Sequence, residues 1–235
     1  MTAPFKEWTV LPHGNLTRID GRILTVVGDL KMPLLELPRR MTAVRLKSGD
    51  LVIFSAIALR DSEMAELEAF GRPAFLVVPS TRHRLDAPNY KRRYPVIKVV
   101  APHLGIEKTR EVVTVDTSTP DFGDPTVRYV EIAGDSALEV DGEDGLTLIV
   151  NDLIGDIHGE HGLGGWLLRV MGFAGDEPHV PGPVKLAVGK HKSEVAQQFR
   201  RWAERDDLRR IIVSHGEAIE GDPRGALRKL AASLD

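Results

Sequence analysis

Short apolar segments that alternate with turn residues dominate the first third of the chain. Met64, Leu67 and Phe70 recur at helical spacing after Asp61, and Gly71 ends the pattern, which predicts one helix there. Before it, segments rich in β-branched or aromatic residues are separated by Gly, Pro and Asp, and predict short strands at 8–11, 23–27, 43–46 and 51–54. The sequence Ser48-Gly49-Asp50 predicts a hairpin turn between the last two strands.

The middle of the chain predicts a unit of strand, loop, helix and strand. An apolar run at 74–78 leads into the polar loop Ser80-Thr81-Arg82-His83-Arg84-Leu85-Asp86. Pro88 is favourable in the first turn of a helix, Pro95 stops that helix, and a strand is predicted at 96–100. Short strands separated by Gly and Asp turns follow at 112–115, 126–132, 137–140 and 146–150.

The last third predicts helices around one further strand. Residues 155–183 are rich in Gly and Pro around an apolar helix at 166–171, which is typical of an inserted lid. An amphipathic helix at 193–205, a strand at 210–213 and a final helix follow. We therefore expect a single domain over 1–235, an α/β (α+β) fold in which two sheets pack together and are flanked by helices.

Composition excludes several classes of function. Hydrophobic residues make up 42% of the 235 residues and charged residues 28%, and the net charge of -3 comes from intermixed signs, so we expect no nucleic-acid partner. The chain has no Cys, so any metal must be held by His and carboxylate side chains. The N-terminus lacks an apolar signal core, and no apolar run approaches the roughly 20 residues of a membrane span. We expect a cytoplasmic protein without a membrane partner.

Metal-compatible side chains follow three of the predicted strands. His83 and Asp86 follow the strand at 74–78, Asp152 follows the strand at 146–150, and His215 follows the strand at 210–213. Strand ends of one sheet cluster in space, so these side chains can converge. Each has an ordinary alternative as a cap or turn residue, and Asp86 in particular is placed to favour the helix at Pro88.

In this order, the segments resemble the metallo-β-lactamase-fold hydrolases, most of all a little-characterised prokaryotic branch known as a domain of unknown function. The resemblance spans roughly residues 8–220. It implies a four-layer αββα sandwich of two mixed sheets. The matching segments are Met41-Thr42-Ala43-Val44-Arg45-Leu46 with Gly49-Asp50, Leu51-Val52-Ile53-Phe54-Ser55, Val77-Val78-Pro79 with His83, Tyr94-Pro95 with Ala101-Pro102, Gly145-Leu146-Thr147-Leu148-Ile149-Val150-Asn151-Asp152-Leu153, and Ile211-Ile212-Val213-Ser214-His215-Gly216.

The resemblance also implies a metal site with a degenerate ligand set. Active members hold one or two metals with an HxHxDH motif, a later His, a bridging Asp and a last His. Thr81 falls at the first His of the motif and Leu85 at its Asp, so neither supplies a ligand. Asp86 falls at the third His, or at the Asp if the loop is shifted by one residue. The implied metal ligands are His83, Asp86, Asp135 (at the later His), Asp152 and His215, with Asp152 and Asp86 as the implied catalytic residues.

Two functions follow from this pattern. One is a metal-dependent hydrolase that holds one Zn, Fe or Mn ion, generates hydroxide from bound water, and cleaves an ester, thioester, lactone or phosphoester. The other is a non-catalytic member of the fold that holds no metal and binds a small ligand or a protein partner. His158 and His161 could supply a missing ligand from the lid, although flanking glycines favour ordinary loop residues. The apolar residues at 166–171 either pack on the core or form an exposed patch that would suit a homodimer.

Overall fold

The first half of the chain builds a mixed six-stranded sheet. The computed structural model describes residues 4–32, 35–156, 175 and 177–235. The strands, which lie side by side in chain order, are β1 (Thr17–Arg18), β2 (Ile23–Met32), β3 (Leu35–Arg45), β4 (Asp50–Phe54), β5 (Arg72–Val77) and β6 (Lys98–Val100). The first four pair antiparallel, and β5 and β6 add in parallel. The predicted hairpin at Ser48-Gly49-Asp50 is confirmed, with Gly49 at a φ of 85°.

Helices make the crossovers that parallel pairing requires. Helix α1 (Asp61–Phe70) connects β4 to β5, and α2 (Ala87–Arg93) connects β5 to β6. Helix α2 belongs to the predicted unit of strand, loop, helix and strand, and α1 is the helix predicted after Asp61. The described helices that come later in the chain are α3 (Ile106–Arg110), α4 (Gly182–Val188), α5 (Lys192–Ala203) and α6 (Pro223–Ala232).

The second half of the chain builds a mixed four-stranded sheet. Its strands are β7 (Val127–Ile132), β8 (Asp135–Gly142), β9 (Gly145–Asp156) and β10 (Leu208–Gly216), in the spatial order β10-β9-β8-β7. Strands β7, β8 and β9 form an antiparallel meander, and β10 pairs in parallel with β9. A two-residue turn joins β7 to β8, and its residues Ala133 and Gly134 have φ of 52° and 80°, as a type I′ hairpin turn needs.

Three hydrophobic clusters define the layers. One lies between α1, α2 and the first sheet, a second lies between the two sheets, and a third lies between the second sheet and α4, α5 and α6. Strand β4 shows how the sequence produces this order. Its Leu51 and Ile53 belong to the cluster under α1, whereas Val52 and Phe54 point into the space between the sheets. The expected four-layer αββα sandwich is therefore confirmed.

Two predicted strands are wrong. Residues 8–11 have no strand structure, and Trp8 instead packs 5.1 Å from the Tyr90 ring and donates from its indole to the Leu59 carbonyl. Residues 112–115 also form no strand, because the Val112 and Val113 amides bond back to the Thr109 carbonyl at the end of α3. In these segments Trp8, Val113 and Val115 pack on the core under the first sheet without pairing as strands, and Val10 is exposed.

Most of the predicted lid, with His158 and His161, lies outside the described residues. Gly155 and Asp156, at its predicted start, belong to β9, and Gly155 forms a bridge with His179. The single-domain organisation and the lid remain predictions. None of the helices that the structure describes combines the length and apolar character of a membrane span.

Candidate metal site

Three side chains from different strand regions meet at one end of the two sheets. His83 lies in the loop after β5, Asp152 lies within β9, and His215 lies near the end of β10. Residues 151–154 of β9 lie opposite Ser214 alone, because the register shifts between the pairs Val213–Val150 and His215–Gly155. Such an irregularity bends the strand and changes where its side chains point. The sequence prediction placed Asp152 after the strand, whereas β9 continues through it to Asp156.

The polar atoms of these three residues converge on one point. His83 Nε2 lies 2.9 Å from Asp152 Oδ1 and 3.1 Å from His215 Nε2, and the His215 nitrogen lies 3.2 Å from the same carboxylate oxygen. The side chains are 8–11% exposed. Within the described ranges, this is the one group of three or more metal-ligating side chains whose ligand atoms lie within 4.8 Å of one another.

Each of the two imidazoles also forms a hydrogen bond through its other ring nitrogen, Nδ1. His215 Nδ1 lies 2.6 Å from the Pro38 carbonyl oxygen, which can only accept, so Nδ1 carries the proton and the neutral ring has its lone pair on Nε2. His83 Nδ1 lies 2.7 Å from the Ser55 hydroxyl, which can either donate or accept. Partners of this kind orient metal-binding imidazoles in many proteins.

Ser55 is a residue of the site that the sequence prediction missed. It follows β4 directly, its amide donates to the Val77 carbonyl on β5, and its φ of 58° lies in the left-handed region that non-glycine residues rarely adopt. Backbone strain of this kind is concentrated at functional sites. The rule that polar residues at strand ends cluster in space could have found Ser55, whereas nothing in the sequence marks the Pro38 carbonyl.

Burial and charge set the protonation of the cluster. Burial lowers the pKa of His83, against the opposing effect of the Asp152 carboxylate, and so favours the neutral ring. Burial alone would raise the pKa of Asp152, but the two imidazoles that face it hold that pKa well below the usual range. The cluster therefore combines one carboxylate with imidazoles that can present lone pairs.

Arg82 is bound to the second oxygen of the Asp152 carboxylate. Its Nε donates to Asp152 Oδ2 over 2.7 Å, and Ser80 Oγ lies 3.3 Å from the same oxygen. Partial burial lowers the pKa of Arg82, but the Asp152 carboxylate outweighs that effect and raises it. Oδ1 is left facing the imidazoles, so the two oxygens of Asp152 have separate partners.

The structure places the other two predicted ligands outside this cluster. Asp86 accepts from Arg39 Nη1 at 2.6 Å and from the Ala58 amide at 3.2 Å, and it makes no side-chain cap to α2. Burial raises the pKa of Asp86, with Arg39 opposing the shift. Asp135 accepts from the Ser136 amide and the Asn151 side chain.

Asp135 nevertheless lies within electrostatic reach of the cluster. Burial first, and then the charge of Asp152, raise the pKa of Asp135 well above its usual value. A carboxyl in this position is favoured in its uncharged form. The structure thus brings together His83, Asp152 and His215, and gives Asp86 and Asp135 protein partners of their own.

The donor set fits a divalent ion. An ion bound tetrahedrally at about 2.0–2.1 Å has ligand atoms about 3.3 Å apart. The measured separations of 2.9–3.2 Å are close to that value, so only small adjustments of the side chains are needed. Two imidazole nitrogens and one carboxylate oxygen are common ligands of Zn, Fe(II) and Mn.

Comparison with known proteins identifies the architecture. No protein family model and no curated protein sequence matches the chain. Three similar solved structures are a metallo-β-lactamase from Pontibacter korlensis, one from Erythrobacter litoralis with β-mercaptoethanol in the active site, and FIM-1 from Pseudomonas aeruginosa in the mono-zinc form.

Their similarity to the chain extends over nearly the whole of each molecule. The TM-scores are 0.62, 0.62 and 0.58, with 11%, 14% and 14% sequence identity. The matches cover 93–95% of this chain and 96–98% of the others. Together with the two mixed sheets and their flanking helices, these matches show that the chain has the metallo-β-lactamase fold.

Proposed function

We propose that this protein is a metal-dependent hydrolase whose single divalent ion is held by His83, Asp152 and His215. The observation that carries the proposal is the convergence of two imidazole Nε2 atoms and one carboxylate oxygen within 2.9–3.2 Å. Each imidazole also has an acceptor or hydroxyl behind it. The mono-zinc form of FIM-1, which has the same fold, supports a site for one ion.

The number of protein ligands favours catalysis over a structural role. Structural zinc sites are usually closed by four protein ligands, whereas catalytic sites keep a position open. A bound divalent ion would act as a Lewis acid and lower the pKa of a coordinated water to about 7. With three ligands from the described residues, the site would have such an open position for an ester, thioester, lactone or phosphoester group.

The residues of the site would each have a defined role in binding the ion. His83 and His215 would present neutral Nε2 atoms, since Ser55 and Pro38 hold the opposite nitrogens. Asp152 would bind through Oδ1, while Arg82 fixes the orientation of the carboxylate through Oδ2. Asp86 has no part in this arrangement, because its carboxylate is bound to Arg39 and the Ala58 amide.

The contact of Arg82 with Asp152 also supports a second candidate, a non-catalytic protein of the same fold. A guanidinium can balance a carboxylate without any ion. Under this alternative the groove would bind a small ligand or a protein partner. The two candidates differ in whether the protein takes up a metal and whether that metal supports hydrolysis.

The test is hydrolysis by metal-free and reloaded protein. Chelator-treated protein would be supplied with Zn, Fe(II) or Mn and assayed on ester, thioester, lactone and phosphoester substrates. We expect activity that chelation abolishes and that one of the metals restores. Asp152→Asn should reduce the activity to background, and Asp206→Asn, a change at an exposed carboxylate, should not. A protein that takes up no metal and cleaves none of the substrates would favour the non-catalytic alternative.

A further inference from the structure

The side chain of Arg82 connects the candidate metal site with solvent. It is 45% exposed, whereas the side chains of His83, Asp152 and His215 are 8–11% exposed. Arg82 also precedes His83 directly in the chain. A substrate that approaches the buried ligand atoms would therefore meet this guanidinium beside them.

Contacts within the loop hold Arg82 in place. Its Nε donates to Asp152 Oδ2 over 2.7 Å. Its backbone amide donates to Ser80 Oγ, which itself lies 3.3 Å from the same Oδ2 atom. The guanidinium is thus fixed at its Nε, and little conformational entropy remains to be lost when a ligand binds.

The other end of the guanidinium carries two amino groups, Nη1 and Nη2, that can bind a ligand. Neither Nη1 nor Nη2 of Arg82 makes a hydrogen bond to any residue in the described part of the chain. The two amino groups form a planar pair of donors that matches the oxygens of a carboxylate or phosphate. A lysine could not hold Asp152 and present a second paired set of donors at the same time.

The charge balance of the site favours an anion. Arg82 and Asp152 form an ion pair over 2.7 Å, so the charges of these two side chains cancel. A divalent ion would therefore leave the site with an excess of positive charge, which attracts anionic groups. The nearby Asp135 is buried, and its carboxyl oxygens accept from the Ser136 amide and the Asn151 side chain instead of pairing with Arg82.

We propose that Arg82 binds an anionic group of the substrate, a carboxylate or a phosphate, next to the bond that is cleaved. This inference rests on the proposed hydrolase function and specifies its substrate class. Arg82 would then be a specificity-determining residue, with Nε bound to Asp152 and with Nη1 and Nη2 bound to the substrate. The alternative is that Arg82 only neutralises Asp152 in place of a metal.

The test is anion binding by zinc-loaded protein, measured by calorimetry with inorganic phosphate and with acetate. The two probes distinguish phosphate from carboxylate recognition. Arg82→Ala should weaken the binding of at least one probe by about tenfold to hundredfold, as expected for lost hydrogen bonds between charged groups. Arg82→Lys should fall between, and Arg72→Ala, a change at an exposed arginine bound to Asp50, should bind like wild type.

Zinc stoichiometry, measured on the same samples, distinguishes a failure of the proposed metal site from a failure of the proposed anion binding by Arg82. Unchanged phosphate and acetate binding in Arg82→Ala, with normal zinc content, would overturn the inference and leave the proposed function intact. Tighter zinc binding in that variant with unchanged anion binding would identify Arg82 as a substitute for the ion, and would also overturn it. Wild-type protein that takes up no zinc would overturn the proposed function and this inference with it.

Discussion

The buried pair of Arg39 and Asp86 gives the sharpest test of which acidic residues serve the fold and which serve the site. Asp86 is an implied metal ligand from sequence, yet its carboxylate faces Arg39 on β3 and the Ala58 amide. If the structural role is correct, Asp86→Ala removes stability and leaves metal binding intact. Asp152→Ala should instead abolish metal binding.

The size of the effect follows from the burial of the pair. The side chains of Arg39 and Asp86 are 8% and 0% exposed, and Arg39 Nε and Nη2 already lack a hydrogen-bond partner among the described residues. Removing Asp86 leaves a buried guanidinium without a counter-charge, which costs about 3–5 kcal/mol. The Ala58 amide loses its acceptor at a further cost of about 1–3 kcal/mol. Whole domains are stable by only about 5–15 kcal/mol.

Urea denaturation of metal-free protein measures the loss in free energy of unfolding, and zinc titration measures metal binding at the site. The double variant Arg39→Met with Asp86→Leu removes both charges, so its loss should shrink to about 1–3 kcal/mol, mainly from the Ala58 amide. It keeps the test valid if Asp86→Ala fails to fold. Asp206→Ala, which breaks an exposed pair with Arg224, should change stability little. Loss of zinc binding in the folded double variant would show that Asp86 is a metal ligand and not a structural partner of Arg39.

Three further predictions concern the groups around the ligands. Ser55→Ala should weaken zinc binding about 10–100-fold, because Nδ1 of His83 loses its hydrogen-bond partner. Covalent labelling of Ser55 by a fluorophosphonate would instead identify Ser55 as a nucleophile and contradict a positioning role. Arg40→Met should lower the free energy of unfolding, measured by urea denaturation, by about 2–4 kcal/mol, since Arg40 donates to the Val213 and Gly216 carbonyls around His215. Stability equal to that of the wild type would contradict a stabilising role of these two hydrogen bonds. Zinc dissociation should begin only below about pH 6.5, because the neutral imidazole is the binding form and burial lowers the pKa of His83; release that is complete at pH 7.5 would argue against His83 as a ligand.

Local pattern was sufficient to predict most of the scaffold. The strand at β4 is recognisable because its residues are apolar without interruption between turn signals, as expected for a strand buried on both faces. The same rule misassigned residues 8–11, where Trp8 packs against Tyr90 instead of joining a sheet. Apolar composition reports burial, and only the partner strand decides whether a buried segment pairs.

The site was predictable where residues follow strands, and less so where partners come from afar. His83 follows β5 as predicted, whereas Asp152 and His215 lie within β9 and β10, where the register of the two strands shifts. The partner of Asp86 could not be inferred, since Arg39 precedes it by 47 positions and no local pattern links them. The Pro38 carbonyl that holds His215 is a backbone group, so its role has no signature in residue type.

A crystal structure of zinc-soaked protein, with anomalous scattering recorded at the zinc edge, tests the central claim most directly. We expect one strong peak per chain, about 2.0–2.2 Å from His83 Nε2, His215 Nε2 and a carboxylate oxygen of Asp152. We also expect Asp86 to remain paired with Arg39. The absence of a peak among these three residues, with Arg82 still bound to Asp152, would contradict the claim.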